Sequence, residues 1–359
     1  MDSEYYAIGL MSGTSLDGLD ICYCCLKDAE KSYSYQLIST VTVKYNAVWK
    51  EKLATAILLP PNKLDELSVE FARFMIRQIR EFIHEQKIEK IDFVASHGHT
   101  VHHRPDEGIT IQIGDGELMA KELGLKVVND FRIDDVRLGG QGAPLVPLGD
   151  KLLFHEYDAC LNLGGIANIS FDNAENVRLA FDICPANLPL NKLAEERFKL
   201  AYDESGKLAE KGIVLTGLLQ ELNDLEFYQS NGPKSLGIEW LNQYFYPLIN
   251  QYSKEKGEDL LATIVEHEAE QIAQIIQQNQ LPKILVTGGG AYHNFLIDRI
   301  REKTKVNVIV PENQLVDFKE ALVFAFLGLL RIKGRINTYS SVTGASKDSS
   351  GGKIWNPLK

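Results

Sequence analysis

Twice along this chain, three strand-like runs follow one another with a glycine-bearing turn between the first two. In the first copy Tyr5–Leu10 and Leu19–Leu26 flank the turn, and Leu37–Tyr45 supplies the third strand. In the second copy Asp158–Leu163 and Ile166–Phe171 flank Gly164-Gly165, and Val177–Phe181 follows. The copies lie about 150 residues apart, near the size of one domain. A sheet begun twice, with helices after each start, implies an α/β protein of two related lobes. The boundaries expected are 1–150 and 151–359, with the final helix and tail able to pack back on the first lobe.

The remaining elements follow from periodicity and punctuation. Asn62 stands where it can cap a helix whose Leu67, Phe71, Met75, Ile79 and Ile83 recur every four residues. Ile91–Ser96, Thr110–Gly114 and Lys126–Asn129 read as strands, and Gly116–Leu123 as a short helix. Helices then dominate: Pro189–Tyr202, Lys207–Leu225, Gly237–Asn250 and Leu260–Gln278. Lys283–Thr287 is a strand running into Gly288-Gly289-Gly290, and Asn294–Glu302 a helix. Val306–Val310 is the last strand and Asp317–Lys333 a long apolar helix.

Composition narrows the class. A formal charge of −11 argues against a nucleic-acid partner, which needs clustered Lys and Arg, yet a local loop can still hold a small anion. The five cysteines, Cys22, Cys24, Cys25, Cys160 and Cys184, are odd in number and mostly in apolar surroundings, so they read as reduced thiols. Met1-Asp2-Ser3-Glu4 has no basic region or apolar signal core. No run of about 18 apolar residues is present to cross a membrane. The expectation is a cytoplasmic protein with no membrane partner and a small-molecule ligand, and it leaves room for a homodimer.

The first turn carries the densest chemistry. Gly9, Gly13 and Gly18 share it with the hydroxyls of Ser12, Thr14 and Ser15 and the acids Asp17 and Asp20. Backbone amides in such a turn can approach phosphate oxygens, and hydroxyls add donors. Asp17 could hold a magnesium ion through water. Gly164-Gly165 offers a second phosphate turn, or equally a plain hairpin. Gly288-Gly289-Gly290 lets a nucleotide lie against the backbone, or makes a tight strand-to-helix connection. His97, His99, His102 and His103 have the nitrogen ligands for zinc or nickel, but no acid or thiol clearly converges on them.

The literal strings say more than their composition. Met11-Ser12-Gly13-Thr14-Ser15-Leu16-Asp17-Gly18 resembles the phosphate loop of the anhydro-N-acetylmuramic acid kinases. Gln112-Ile113-Gly114-Asp115-Gly116, Asn129-Asp130-Phe131-Arg132 and Gly139-Gly140-Gln141-Gly142-Ala143-Pro144-Leu145-Val146-Pro147 are similar to further segments of that family. So are Asn162-Leu163-Gly164-Gly165-Ile166-Ala167-Asn168-Ile169, Thr287-Gly288-Gly289-Gly290-Ala291 and Ser341-Val342-Thr343-Gly344-Ala345. Ala95-Ser96-His97-Gly98-His99-Thr100 resembles its Ser-His-Gly-Gln-Thr segment, with His99 where Gln is usual.

The resemblance implies two RNase H-like lobes of the actin and hexokinase type, with ATP and Mg²⁺ in a cleft between them. It implies nucleotide contacts at Ser12, Gly13, Thr14, Ser15, Asp17, Gly18, Asp20, Gly164, Gly165, Gly288, Gly289 and Gly290. On the sugar side it implies His97, Arg132, Gly142, Ala143, Pro144 and Asn187. Asp182 stands where the family has its general base, at the end of the expected strand, and Glu320 matches a second carboxylate. The reaction implied is attack of water on C1 of a 1,6-anhydro ring while O6 takes the γ-phosphoryl group of ATP, in murein recycling.

Several alternatives stay open on the residues alone. Arg132 suits the lactyl carboxylate of a muramic acid, or a structural ion pair with Asp134 or Asp135. Glu320 could instead be an acid placed by the helix dipole near an N-terminus. After Asp182 the family pattern Thr-Gly-Pro-Gly-Asn becomes Ile183-Cys184-Pro185-Ala186-Asn187, so two glycines are lost beside the acceptor. A kinase of another anhydrosugar such as levoglucosan, a hexosamine kinase and a silent ATP-binding sensor are the rival readings.

Overall fold

The structure, a computed structural model, describes residues 3–29, 32–230 and 232–357. Its strands are β1 (Ser3–Ser12), β2 (Gly18–Ala29), β3 (Ser32–Lys44), β4 (Phe93–Arg104), β5 (Ile109–Ile113) and β6 (Val127–Asn129). They continue as β7 (Ala159–Leu163), β8 (Ile166–Asp172), β9 (Arg178–Pro185), β10 (Lys283–Thr287), β11 (Asn307–Ile309) and β12 (Lys353–Trp355). The chain divides into two compact units. One comprises the described residues through Phe154 and from Phe318 onward, the other His155–Asp317. Residues 318–359 thus group with the first unit rather than the second, and the division falls inside the helix Asn313–Ile332.

In the first unit β1, β2 and β3 form an antiparallel meander. On the other side of β1, β4 and then β6 add in parallel, and β12 closes that edge. The second unit repeats the plan: β7, β8 and β9 form the meander, and β10 and β11 follow in parallel beyond β7. Strand order is the same in both sheets once β5, paired on β4, and β12 are set aside.

Period-two alternation decides what covers each face of the first sheet. Ile8 and Leu10 of β1 belong to one buried cluster with Leu67, Phe71, Met75 and Ile79 of the helix Pro61–Glu85. That helix starts with Pro61 at its first position, where a missing N–H costs nothing. Asn62 therefore sits inside the first turn and is not the cap. The intervening Gly9 points the opposite way, where a side chain would strike the Ala321 carbonyl. A Cβ on Gly328 would meet Ala95 at 2.7 Å, so glycines on strand and helix let Asn313–Ile332 lie against this face.

In the second unit the helix Gly257–Gln278 buries Leu260, Leu261, Ile264, Ile272 and Ile276 with Leu161, Ile169, Ile183 and Ile284 of the sheet. The stretch expected as one helix, Lys207–Leu225, is instead a single turn at Ala209–Lys211 and a helix at Thr216–Asn223. The cause is local competition for amides: the Asp203 carboxylate accepts from Leu208 and Ala209 N–H, both at 2.9 Å. All five cysteines are buried, and none forms a disulfide. Among the described residues no helix is long and apolar enough to cross a membrane.

Candidate active site

The turn between β1 and β2 splits its residues into braces and an exposed tip. Ser12 is buried; its Oγ accepts from the Tyr45 hydroxyl at 2.7 Å and lies 3.0 Å from His99 Nδ1. A Cβ on Gly18 would stand 2.6 Å from the Val43 carbonyl oxygen, and Asp20 accepts from Thr42 Oγ1 at 2.6 Å. These three also hold the hairpin to its neighbours. Thr14, Ser15 and Asp17 remain exposed, and the Gly13 Cβ position has nothing nearer than Ser15 Oγ at 3.5 Å. The left-handed position of the turn falls on Leu16, at φ 60°, and not on a glycine.

The histidines of β4 are separated by one residue's conformation. In a regular strand His97 and His99 would face the same side. Gly98 takes φ +72°, with its Cβ position 2.6 Å from the Ile113 carbonyl oxygen, and the register with β1 shifts there. His97 consequently packs on Phe324, with ring centroids 4.7 Å apart, while His99 packs on Phe71 and reaches Ser12. His103 Nδ1 pairs with Thr110 Oγ1 at 3.1 Å. Among the described residues no group of three or more His, Cys, Asp or Glu is placed to hold a metal ion.

His97 and Arg132 form the polar centre of the first unit. Arg132 cannot accept a hydrogen bond, so His97 Nε2 must be the acceptor from Arg132 Nε at 3.0 Å and Nη2 at 2.8 Å. Its Nδ1–H then donates to the Gly98 carbonyl at 3.0 Å. Burial and the Arg132 charge push the His97 pKa well below the usual histidine value, which keeps it neutral. Arg132 Nη1 donates to the Gly142 carbonyl at 2.7 Å. Burial lowers the Arg132 pKa to about 10, so it remains a cation at neutral pH.

The ion-pair alternative for Arg132 is overturned. Asp134 pairs with Arg137 at 3.2 Å. The buried Asp135 accepts from Gly142 N–H at 2.8 Å and from Thr343 Oγ1 at 2.7 Å. The tail motif around Thr343 thus clamps the loop that carries Gly142, Ala143 and Pro144, a role its sequence did not reveal. Glu320 is accessible to solvent. The protein packed around it raises its pKa, against the pull of Lys319 and Arg132. Because the helix begins at Asn313, Glu320 lies about two turns in, beyond the reach of the end dipole. The neighbouring Lys319 is buried in an ion pair with Asp150 at 2.7 Å.

In the second unit the two glycine segments meet at the end of β7. Neither Gly164 nor Gly165 is left-handed, so the turn is not a plain two-residue hairpin. Their carbonyls accept from the amides of Asn187, at 3.1 Å, and of Ala186 and Leu188, which lashes the turn to the start of the helix Asn187–Phe198. Gly288, at φ +84°, has its Cβ position 2.9 Å from the Leu163 carbonyl oxygen, and that of Gly290 lies 2.7 Å from Leu163 Cβ. Only Gly289 is exposed, with nothing nearer to its Cβ position than Asn187 Nδ2 at 3.8 Å. Asn187 itself donates to the Leu163 carbonyl at 3.0 Å. That bond ties its side chain to this glycine-rich corner.

Asp182 also belongs to the second unit. It does not end its strand, because β9 runs on to Pro185. The register passes from Asn168↔Asp182 to Ala167↔Cys184, so Ile183 is an extra residue, a bulge of the kind that re-aims neighbouring side chains. Oδ2 of Asp182 accepts from Leu236 N–H at 2.8 Å and Ser235 Oγ at 3.3 Å, and its own N–H donates to the Lys234 carbonyl at 2.9 Å. Burial raises the Asp182 pKa, partly offset by those two bonds. The holding segment Lys234-Ser235-Leu236 carries no motif and was not foreseen. The lost glycines are absorbed by the backbone: Ala186 takes φ −128° and ψ −103°, outside the left-handed region. Burial pushes the Cys184 thiol well up, which removes it as a nucleophile.

Two sheets of one strand order, each opening on a turn with glycine and hydroxyl or amide groups around it, define a two-unit α/β protein with duplicated RNase H-like folds. The family model of anhydro-N-acetylmuramic acid kinase matches residues 5–357. The chain belongs to that family. It is 34% identical to the anhydro-N-acetylmuramic acid kinase of Francisella tularensis subsp. novicida (strain U112), covering 96% of this chain and 97% of the relative. It is 33% identical to the enzyme so named from Hydrogenovibrio crunogenus (strain DSM 25203 / XCL-2), covering 98% of each. Among solved structures it is similar to an activator of 2-hydroxyisocaproyl-CoA dehydratase from Clostridium difficile with bound ADPNP. That match has 12% identity and a TM-score of 0.44, and covers 91% of this chain and 97% of that one.

Proposed function

We propose that the protein is an ATP-dependent kinase that opens 1,6-anhydro-N-acetylmuramic acid with water and phosphorylates O6, giving N-acetylmuramic acid 6-phosphate. The observation that carries this reading is the family match over residues 5–357. Each residue type in the candidate site has work in that reaction. Both hydrogen bonds to Asp182 fall on Oδ2, which leaves Oδ1 to take a proton from the attacking water. The phosphoryl group takes the place of the proton that an acid would otherwise give the leaving oxygen, as in a glycosidase. Arg132 spends one N–H of each terminal nitrogen on the protein, and one on each is left for a carboxylate.

The residues fit a nucleotide with its magnesium ion. Thr14, Ser15 and Asp17 are exposed together at the tip of the first turn, and Gly289 is open in the second unit. Asp17 would hold Mg²⁺ through water, and the ion would supply charge neutralisation on the phosphate oxygens. ADP release with a panel of sugars tests the reading. Release is expected with anhydro-N-acetylmuramic acid and not with levoglucosan or N-acetylglucosamine; the reverse preference would favour the rival kinases. Nucleotide binding with no sugar-dependent release would favour the silent sensor.

A further inference from the structure

His99 has no part in the proposed reaction, and its buried surroundings say what the position does. Tyr45, Ser12 and His99 form a buried chain that joins the loop after β3, the end of β1 and β4. Ser12 Oγ accepts from Tyr45 and shares a 3.0 Å hydrogen bond with His99 Nδ1, whose tautomer sets which of the two donates. A Gln at 99 carries both an amide donor and a carbonyl acceptor, so it can meet Ser12 in either role. The edge of the His99 ring packs on Phe71, which fixes its direction. Ser12 lies just before the exposed tip residues Thr14 and Ser15.

We propose that His99 is a positioning residue for the first turn, holding Ser12 so that the tip presents its amides and hydroxyls to the ATP phosphates. This rests on the reading of that tip as the ATP contact. Without a polar partner at 99 the Ser12 hydroxyl keeps only its bond from Tyr45, and the tip loses a side-chain tie to β4.

The test is a set of binding titrations with Mg-ATP and, separately, with anhydro-N-acetylmuramic acid, alongside melting temperatures. His99→Leu is expected to weaken Mg-ATP about tenfold, the effect of losing one buried hydrogen bond, with sugar affinity within about twofold of wild type. His99→Gln should restore ATP affinity, because it restores a hydrogen-bonding partner for Ser12. In a Ser12→Ala background His99→Leu should have no further effect on ATP, since the two act through one bond. Equal loss for both ligands, no loss at all, failure of His99→Gln to rescue, or additive effects in the double variant would each overturn the proposal. Wild-type protein that binds no Mg-ATP would refute the kinase reading itself, and this inference with it.

Discussion

Asp182→Asn is expected to lower kcat by about 10²–10⁴-fold, the usual contribution of a positioned base. Asn keeps the size of the side chain, and its carbonyl oxygen can still accept from Leu236 N–H, so the local structure should persist. What it cannot do is take a proton from water at neutral pH. Its effect on stability has a definite sign. Folding raises the Asp182 pKa above 3.8, so the neutral form is favoured in the native state. That contribution is present below the unfolded value and is lost as pH rises through the folded value. At neutral pH the buried carboxylate is therefore a cost, and Asn should leave the melting temperature unchanged or raise it. In wild type, kcat/KM should fall as pH drops through the raised Asp182 pKa, and that acid limb should be absent in the variant. A variant that keeps more than about a tenth of wild-type kcat would exclude Asp182 as the base.

Arg132→Ala is expected to weaken anhydro-N-acetylmuramic acid by about 1.5–3 kcal/mol, or roughly 10- to 150-fold, the loss of a charge-assisted hydrogen bond. The same change strips donors from the buried His97 Nε2 and from the Gly142 carbonyl, so the melting temperature should also fall. Comparison with a sugar lacking the lactyl group separates the two effects. That sugar has no carboxylate to lose, so its affinity should fall only as far as the His97 and Gly142 loop loosens. Arg132→Lys should recover part of the loss, because a point charge cannot reproduce the planar fork that meets His97, Gly142 and a ligand together. Equal losses for both sugars would leave Arg132 with the structural task alone.

The sheets were legible because alternation and turn chemistry act locally. Lys283–Thr287 and Gly116–Leu123 have their expected bounds, the latter because Asp115 caps its own helix by accepting from Leu118 N–H at 2.9 Å. Boundaries slipped where a partner far along the chain decides them. Strand β9 outruns Asp182 because β8 continues to pair with it through a bulge, and the break-up of Lys207–Leu225 depends on the Asp203 carboxylate.

The site divides along the same line. Residue types and strings brought His97 and Arg132 forward together, and their contact is direct. The direction of a side chain was not readable. His97 and His99 face opposite ways because of the backbone at Gly98, Ser12 turns inward to Tyr45, and Asn187 turns to Leu163. The supports were hidden for a simpler reason. Thr343 reaches Asp135 across 208 positions, and Ser235 reaches Asp182 across 53, distances at which no sequence period operates.

The most direct test of the central claim is product analysis after incubation of the protein with Mg-ATP and 1,6-anhydro-N-acetylmuramic acid in water enriched in heavy oxygen. If ring opening and phosphoryl transfer are one coupled reaction, the product is N-acetylmuramic acid 6-phosphate with solvent oxygen at C1 and none in the phosphate. Solvent oxygen in free phosphate with the anhydro ring intact, or a phosphorylated sugar without label at C1, would contradict it.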